Sequence, residues 1–134
     1  MKRLEDDVFV AGQIRPEEIG AIAAARVRTI VNNRPDNEEP GQPTSAQIEA
    51  AARVAGLHYR HIPVAGGFSQ EQVAAMAEAL ETGPALAFCK SGTRSTYLWA
   101  LARASRGAGA DELADAAAQA GYDLTPILAY LRIG

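Results

Sequence analysis

The chain has 134 residues, of which 48% are hydrophobic, and a formal net charge of −3, so its size and composition are those of one globular domain over residues 1–134. This charge balance excludes a broad nucleic-acid-binding surface, and no apolar run reaches the roughly 18 residues that a transmembrane helix needs. The single cysteine excludes an internal disulfide, and the acidic N-terminal segment does not fit a signal peptide. We therefore expect a cytoplasmic protein. Neither nucleic acid nor a membrane is expected as a partner.

The first half of the chain alternates strand-like segments with helix signals. Residues 8–12 form a short apolar run that ends in glycine, and a helix is predicted to begin near Pro16, because proline favours the first position of a helix. Residues 29–34 begin with β-branched and apolar residues, which favour a buried strand. Residues 35–43 are rich in proline, glycine and acidic residues and predict a loop.

Two later helices carry a clear start signal. Residues 44–56 and 69–81 each open with Thr or Ser followed three residues later by Gln, which is the pattern of a capping box. Gly56 marks the end of the first of these helices. Between them, residues 57–64 alternate in a way that fits a strand, and Pro63 ends it.

The second half of the chain continues the same alternation. Residues 85–89 are predicted to form a strand, followed by helices at residues 94–105, 111–120 and 126–131. This order of strands and helices predicts an α/β fold with a mostly parallel central sheet flanked by helices.

The most informative segment is CKSGTRS, which ends the strand at 85–89 and opens the helix at 94–105. Ligands of open α/β sheets bind at the carboxyl ends of the strands, where Cys89 is expected to lie. Backbone N–H groups of the loop and the helix N-terminus favour a bound anion, and Gly92 permits a tight turn. Arg94 adds a planar fork of donors that can hold two oxygens of a tetrahedral anion. The predicted anion-binding loop consists of Lys90, Ser91, Gly92, Thr93, Arg94 and Ser95.

Cys89 is the candidate nucleophile. The helix N-terminus and the cations Lys90 and Arg94 are expected to lower its pKa toward the thiolate form, which is the reactive one. The hydroxyls of Ser95 and Thr96 are expected to support the thiolate or a leaving group. A lone cysteine is more often a small buried core residue, but strand, cysteine, loop, arginine and helix occur together here, which favours function.

A second side of the pocket is expected from other loops at the same edge of the sheet. Asn33, Arg34 and Asp36 come at the end of a strand, so Arg34 is a candidate for binding substrate charge. Asp36 is a candidate for orienting a basic residue or donating a proton, although turn chemistry explains the same residues equally well. Phe68 either walls the pocket or anchors its own loop.

The two histidines do not predict a metal site. His58 and His61 are three residues apart on a strand, which turns their side chains to opposite faces. The cysteine chemistry requires neither a metal nor an organic cofactor.

Several stretches carry a family resemblance. CKSGTRS is similar to the active loop of rhodanese-type sulfurtransferases and to the cysteine phosphatase signature, while VFVAGQIRPEEIGAIAAARVRTIVNNRPD and YRHIPV resemble a dual-specificity phosphatase. Over nearly the whole chain, and most specifically in NNRPDNEEPGQPT and CKSGTRS, the sequence resembles a bacterial family of phosphatase-like, beta-lactamase-hydrolase-associated proteins. The resemblance implies a cysteine (dual-specificity) protein phosphatase-like fold and activity as a phosphatase or a sulfurtransferase. Some members of that family are fused to a persulfide dioxygenase.

Departures from the phosphatase pattern favour sulfur transfer. Four residues separate Cys89 from Arg94 where the phosphatase signature has five, and a smaller ring of N–H donors suits one sulfur atom better than a whole phosphate. The resemblance also implies an aspartate acid after IPV, but residues 65–67 are Ala, Gly and Gly, which cannot donate a proton. Phe88 replaces the histidine that precedes the phosphatase cysteine. The candidate replacement acids are Asp36, Glu38 and Glu39.

The sequence is compatible with three functions. The leading prediction is a thiosulfate-type sulfurtransferase, in which Cys89 takes the outer sulfur of a donor as a persulfide and sulfite leaves with little acid help. The alternatives are a dual-specificity-type phosphatase that acts through phosphocysteine and a non-catalytic module that binds phosphate or sulfate. The expected partners are a small anionic substrate (thiosulfate, persulfide or phosphoester), a thiol acceptor and a persulfide dioxygenase.

Overall fold

Five strands form one sheet in the computed structural model, which describes residues 1–132. The strands are β1 (Lys2–Glu5), β2 (Val8–Ala11), β3 (Thr29–Asn32), β4 (His58–His61) and β5 (Ala85–Phe88). The α-helices are α1 (Ile19–Ala24), α2 (Ser45–Val54), α3 (Gln70–Leu80), α4 (Thr93–Ser105), α5 (Ala110–Gln119) and α6 (Leu128–Leu131). Short 3₁₀ turns at Pro16–Glu18 and Thr125–Ile127 lead into α1 and α6.

The sheet is mostly parallel, which confirms the fold class predicted from the sequence. The strand order is β1-β2-β5-β3-β4, in which β1 pairs antiparallel with β2 and every other pair is parallel. The four predicted strands are present, and each ends before its predicted boundary. Since Asn32 of β3 lies opposite Phe88 of β5, the residues that follow these central strands meet at one edge of the sheet.

Strand β1 is the element that the sequence pattern does not predict. Its sequence, KRLE, is mostly charged, and Leu4 is the one buried apolar residue in it, so the hydrophobic pattern carries little signal. Short, charged strands are typical of sheet edges, where charge discourages pairing with other chains.

Both faces of the sheet are covered, and the alternation along β5 divides its residues between them. Phe88 packs in one core with Ile48 of α2, while Ala87 packs in the other with Trp99 of α4. Because successive side chains of a strand point to opposite faces, Cys89 continues this alternation toward the α3 and α4 side. The strand therefore decides on which face the candidate nucleophile lies.

The two predicted capping boxes are confirmed. Thr44 Oγ1 accepts a hydrogen bond from Gln47 N at 3.1 Å, and Ser69 Oγ accepts one from Gln72 N at 3.0 Å. Each bond satisfies a backbone donor that the first turn of a helix leaves without a partner. Within residues 1–132, no helix is both long and apolar enough to cross a membrane.

Candidate active site

Cys89 directly follows β5, at the carboxyl end of the sheet, and is 1% exposed. Its Sγ accepts a hydrogen bond from the backbone N–H of Gly92 at 3.1 Å. Gly92 has a φ of 91°, which lies in the left-handed region that glycine adopts without strain. This turn directs a backbone donor at the sulfur, where it favours negative charge.

The loop after Cys89 is held by hydroxyl groups of α4. The Oγ1 and backbone N of Thr96 both donate to Gly92 O, at 2.8 and 3.0 Å. Ser95 Oγ donates to the buried Asn33 Oδ1 at 2.8 Å. These bonds use the single hydroxyl proton of each side chain, so neither hydroxyl donates to the sulfur as the sequence suggested.

Asn33 is buried and forms hydrogen bonds with the last residue of β5, with the residue that follows β4 and with α4. Its backbone N donates to Phe88 O at 2.8 Å, and its Nδ2 donates to Ile62 O at 3.0 Å. Together with the bond from Ser95, these contacts hold the ends of β3 and β5 and the start of α4 in one arrangement. Asn33 therefore stabilises the two ends of the loop, through Phe88 before it and Ser95 after it. The sequence suggested instead that Asn33 lies in the pocket wall.

Arg94 lies in the first turn of α4 and is paired with an acidic residue from the loop after β3. Its Nη1 and Nη2 donate to the two carboxylate oxygens of Glu38 at 2.7 and 2.9 Å, and Nη1 also donates to Val64 O at 2.8 Å. These bonds use three of the five guanidinium donors. The Glu38 carboxylate, and after it the charge on Cys89, raises the pKa of Arg94, because both stabilise the cation. The bonds to Glu38 and Val64 leave two guanidinium donors, Nε–H and one N–H of Nη2, on a side chain that also interacts with Cys89.

Arg34 organises the acidic loop. It is buried, and it donates to Glu38 Oε1 at 2.8 Å, to Glu39 Oε1 at 2.7 Å and to Gln13 Oε1 at 3.0 Å. Hydrogen bonds from Arg94 first and from Arg34 second lower the pKa of Glu38 to about 2, so this carboxyl is ionised at neutral pH. Glu38 is therefore not a proton donor, and Arg34 holds carboxylates instead of the substrate charge expected from the sequence.

Two further predicted residues, Asp36 and Lys90, contact groups other than the sulfur. Asp36 Oδ1 accepts a hydrogen bond from Ser45 N at 2.8 Å, so it caps the start of α2, whereas the sequence suggested a partner for a basic residue or a proton donor. The side chain of Lys90 is 60% exposed, and its Nζ lies 3.5 Å from Glu39 Oε2. Lys90 thus adds positive charge at the solvent side of the loop.

Phe68 contacts the outer surface of α4. Its ring makes an edge contact with Tyr97, with the ring centroids 6.3 Å apart. Phe68 also lines an apolar cavity of about 740 Å³, whose other walls include Leu101 of α4 and Ile127. It walls this cavity, which opens between α3, the second half of α4 and the C-terminal segment.

Tyr122 is a residue near the site that sequence reasoning missed. Its hydroxyl donates to Ser91 O at 3.1 Å, while Ser91 Oγ donates to Thr93 Oγ1 at 3.0 Å. Burial, and after it the charge on Cys89, raises the pKa of Tyr122. The residue lies in a short connection after α5, where no motif or spacing in the sequence marks it as functional.

The other candidates for a proton donor or a metal ligand are accounted for. Residues 65–67, which follow Val64, are exposed and carry no acidic group. His61 Nε2 forms a 2.9 Å hydrogen bond with Arg34 O. The described part of the chain contains no group of three or more His, Cys, Asp or Glu side chains arranged to hold a metal ion.

Comparison with known sequences identifies the family. Residues 1–108 match the family described as "Beta-lactamase hydrolase-like protein, phosphatase-like domain". The beta-lactamase hydrolase-like protein of Agrobacterium fabrum is 39% identical over 114 residues, which cover 78% of this chain and 25% of that protein. The protein of the same name from Xylella fastidiosa strain Temecula1 is 35% identical over 133 residues, which cover 96% of this chain and 31% of that protein. The chain thus spans between a quarter and a third of the length of these relatives.

Solved structures share the fold. A proposed phosphatase from Neisseria meningitidis Z2491 superposes with a TM-score of 0.83 and 31% identity, covering 97% of this chain and 94% of that one. PTPMT1 superposes with a TM-score of 0.74 over 98% of this chain and 91% of that one; at 14% identity, it shows the shared fold alone. The central sheet and its helices are thus those of the protein tyrosine and dual-specificity phosphatases. The chain belongs to the phosphatase-like domain family of the beta-lactamase hydrolase-like proteins.

Proposed function

We propose that this domain is a cysteine-dependent phosphatase that acts through phosphocysteine on phosphate esters and phosphoanhydrides with weakly basic leaving groups. The observation that carries the proposal is the 3.1 Å hydrogen bond from Gly92 N to Cys89 Sγ, beside an arginine held in place by Glu38 and Val64 O. The family and the similarity to the Neisseria phosphatase candidate support this class of reaction.

Each proposed step uses a group of this site. Sγ of Cys89 attacks phosphorus, the bond from phosphorus to the leaving oxygen breaks, and that oxygen departs with the electron pair. Arg94 and the loop N–H groups bind the phosphoryl oxygens as their charge develops. Water then attacks the phosphocysteine, the P–S bond breaks, and the sulfur recovers its electron pair as phosphate is released.

The missing proton donor restricts the substrate. Residues 65–67 offer no acid, and Glu38 is ionised at neutral pH because its pKa is about 2. An alkoxide leaving group needs a proton from a general acid, whereas an aryl oxide or a phosphate oxygen departs with less help. Aryl phosphates and phosphoanhydrides therefore fit this site better than alkyl phosphates.

Sulfur transfer is a second candidate, and the spacing between Cys89 and Arg94 favours it. Four residues separate them, so the loop presents fewer N–H groups than a loop with five. In this reaction, Sγ attacks the outer sulfur of thiosulfate, the S–S bond breaks, and sulfite leaves with the electron pair and needs no acid. A thiol then takes the outer sulfur from the Cys89 persulfide. A persulfide dioxygenase is a proposed partner for the persulfide product.

One set of assays separates these functions. Purified protein is assayed with p-nitrophenyl phosphate and, separately, with thiosulfate and cyanide, and Cys89→Ser serves as the matched control. We expect p-nitrophenol release that the control lacks, together with a trapped phosphoryl adduct in the intact mass of the wild-type protein. Thiocyanate formation and a gain of one sulfur atom, without phosphate release, would overturn the phosphatase in favour of the sulfurtransferase. Sulfate or phosphate binding without either activity would overturn both and leave a binding module.

A further inference from the structure

The phenol of Tyr122 contacts the loop that follows Cys89, although Tyr122 lies outside residues 1–108 that match the family. Its hydroxyl donates to Ser91 O at 3.1 Å. That carbonyl belongs to the same peptide unit as the Gly92 N–H, which donates to Cys89 Sγ at 3.1 Å. Because C=O and N–H point in opposite directions in a planar trans peptide, one peptide unit connects the phenol to the sulfur.

The contact also depends on the absence of a side chain at residue 92. A Cβ built on Gly92 would overlap the phenol oxygen of Tyr122. The φ of 91° at Gly92 separately disfavours any other residue there. The glycine and the tyrosine therefore complement each other, since the missing side chain leaves room for the phenol to reach the Ser91 carbonyl.

The backbone holds Tyr122 firmly in this position. Helix α5 ends in a Schellman motif, in which Tyr122 N donates to Ala117 O at 2.8 Å and Gly121 N donates to Ala118 O at 3.0 Å. Gly121 supplies the left-handed residue of the motif, with a φ of 93°. Two residues after Tyr122, the buried Leu124 anchors the chain in the core.

We propose that Tyr122 is a positioning residue that holds the Ser91–Gly92 peptide with its N–H on the sulfur of Cys89. If this peptide flipped, it would turn a carbonyl oxygen toward the sulfur, and the thiolate would be repelled. A hydrogen bond to the carbonyl also polarises the amide and strengthens its N–H as a donor. The inference rests on the proposed nucleophilic role of Cys89, and it applies equally to phosphoryl and sulfur transfer.

Several charged groups surround the sulfur, and the key variant changes none of them. Arg94 faces it from α4 and is itself paired with Glu38, while Lys90 lies beside it in the chain and contacts Glu39. The phenol is neutral near pH 7, since the ordinary pKa of tyrosine is about 10. Burial, and after it the charge on Cys89, raises the pKa of Tyr122 further. Removing the hydroxyl of Tyr122 therefore alters the hydrogen bond to the peptide while the charges around the sulfur stay as they are.

The test is the pH dependence of iodoacetamide alkylation of Cys89 in the wild type, Tyr122→Phe and Tyr130→Phe. Tyr130 is 66% exposed on α6, so Tyr130→Phe is the matched control. For Tyr122→Phe we expect the midpoint of the profile to move to higher pH and the rate at neutral pH to fall about three- to tenfold, as the loss of one hydrogen bond predicts. Coincident profiles for all three proteins would overturn the proposal.

A measurement on the wild type keeps the test independent of how well the variant folds. In a pH titration followed by NMR, the Gly92 amide and the phenol carbon of Tyr122 should shift with the same midpoint as alkylation. A Tyr122 resonance that does not respond at that midpoint would overturn the proposal. Alkylation needs no turnover, so absent phosphatase and sulfurtransferase activity would overturn the proposed function and leave this result unaffected.

Discussion

Two loops meet at the carboxyl end of the sheet, and different forces hold them in place. The loop after β5, residues 89–92, is held by backbone hydrogen bonds, a left-handed glycine and the phenol of Tyr122. The loop after β3 is held by charge, because Arg34 binds Glu38 and Glu39. The first loop is thus defined by shape and the second by ion pairs.

This difference predicts how each loop responds to salt, to acid and to added atoms. In the loop after β5, Cys89 and Gly92 are buried while Lys90 and Ser91 are exposed. Because neutral hydrogen bonds hold this loop, we expect it to tolerate salt but not atoms added at its buried positions. A partly exposed loop held by ion pairs tolerates small changes of shape but is weakened by salt and acid. Glu38 connects the two, because the same carboxylate binds Arg34 and Arg94.

The largest expected effect comes from adding one methyl group to the loop that is held by shape. Gly92→Ala places a Cβ against the phenol of Tyr122 and requires a non-glycine residue at a φ of 91°. We expect it to destabilise the protein by roughly 1–3 kcal/mol and to lower activity at least tenfold. Thermal unfolding and initial rates measure both effects. The control is Gly66→Ala, where a Cβ meets no atom within 4 Å. Equal losses of stability and activity in the two variants would contradict the view that the loop after β5 is especially sensitive to added atoms.

The next effect tests the charged contact between the loops. Glu38→Gln replaces one carboxylate oxygen with an amide donor, so Arg94 loses half of its bidentate pair. We expect kcat/KM to fall about tenfold, which corresponds to about 1.4 kcal/mol and to the loss of one charge-assisted hydrogen bond. Glu39→Gln is the matched control, because Glu39 contacts Arg34 and Lys90. Equal losses in the two variants would mean that the contact to Arg94 has no special role.

The same pair predicts how stability depends on pH. The pKa of Glu38 is lowered from 4.5 to about 2, so its contribution is fully present above pH 4.5 and is lost as the pH falls toward 2. The difference in free energy of unfolding between the wild type and Glu38→Gln should therefore shrink through this range. Urea titrations on either side of pH 4.5 measure it, and a difference that stays constant with pH would contradict the ionised pair.

The smallest expected effect belongs to an exposed ion pair. Lys90 Nζ lies 3.5 Å from Glu39 Oε2, and both side chains are substantially exposed. Lys90→Ala should change the free energy of unfolding by less than about 1 kcal/mol, which is the usual value of a surface pair. The variant should weaken sulfate binding modestly at low salt and not at high salt, since salt screens the attraction between the exposed ammonium group and the anion. A large loss that persists at high salt would mean that Lys90 binds the anion directly.

Much of the fold was predictable because its signals are local. The capping boxes at Thr44 and Ser69 and the apolar runs that become β3 and β5 are readable within a few residues. Strand β1 was not predictable, because its stability comes from pairing with β2 and not from its own charged sequence. A short, charged edge strand cannot be distinguished from a charged loop by its sequence pattern alone.

In the candidate site, too, local features could be predicted from the sequence and long-range contacts could not. The position of Cys89 and Arg94 at the carboxyl end of the sheet follows from the order of strand, loop and helix. The partners of Arg94 do not, because the sequence offered Asp36, Glu38 and Glu39 as equivalent acids. Only the folded loop shows Asp36 capping α2 and Glu38 binding the arginine.

The sequence by itself determined the mostly parallel α/β architecture, the family and the cysteine loop, because periodicity, caps and motif spacing act over short stretches of chain. The tertiary structure alone decided that Glu38 is an ionised partner of Arg94, that Ser95 and Asn33 support the loop from behind, and that Tyr122 reaches the Ser91 carbonyl. These contacts join residues 31 to 62 positions apart, and no local pattern encodes which distant side chains the packed sheet and helices bring together.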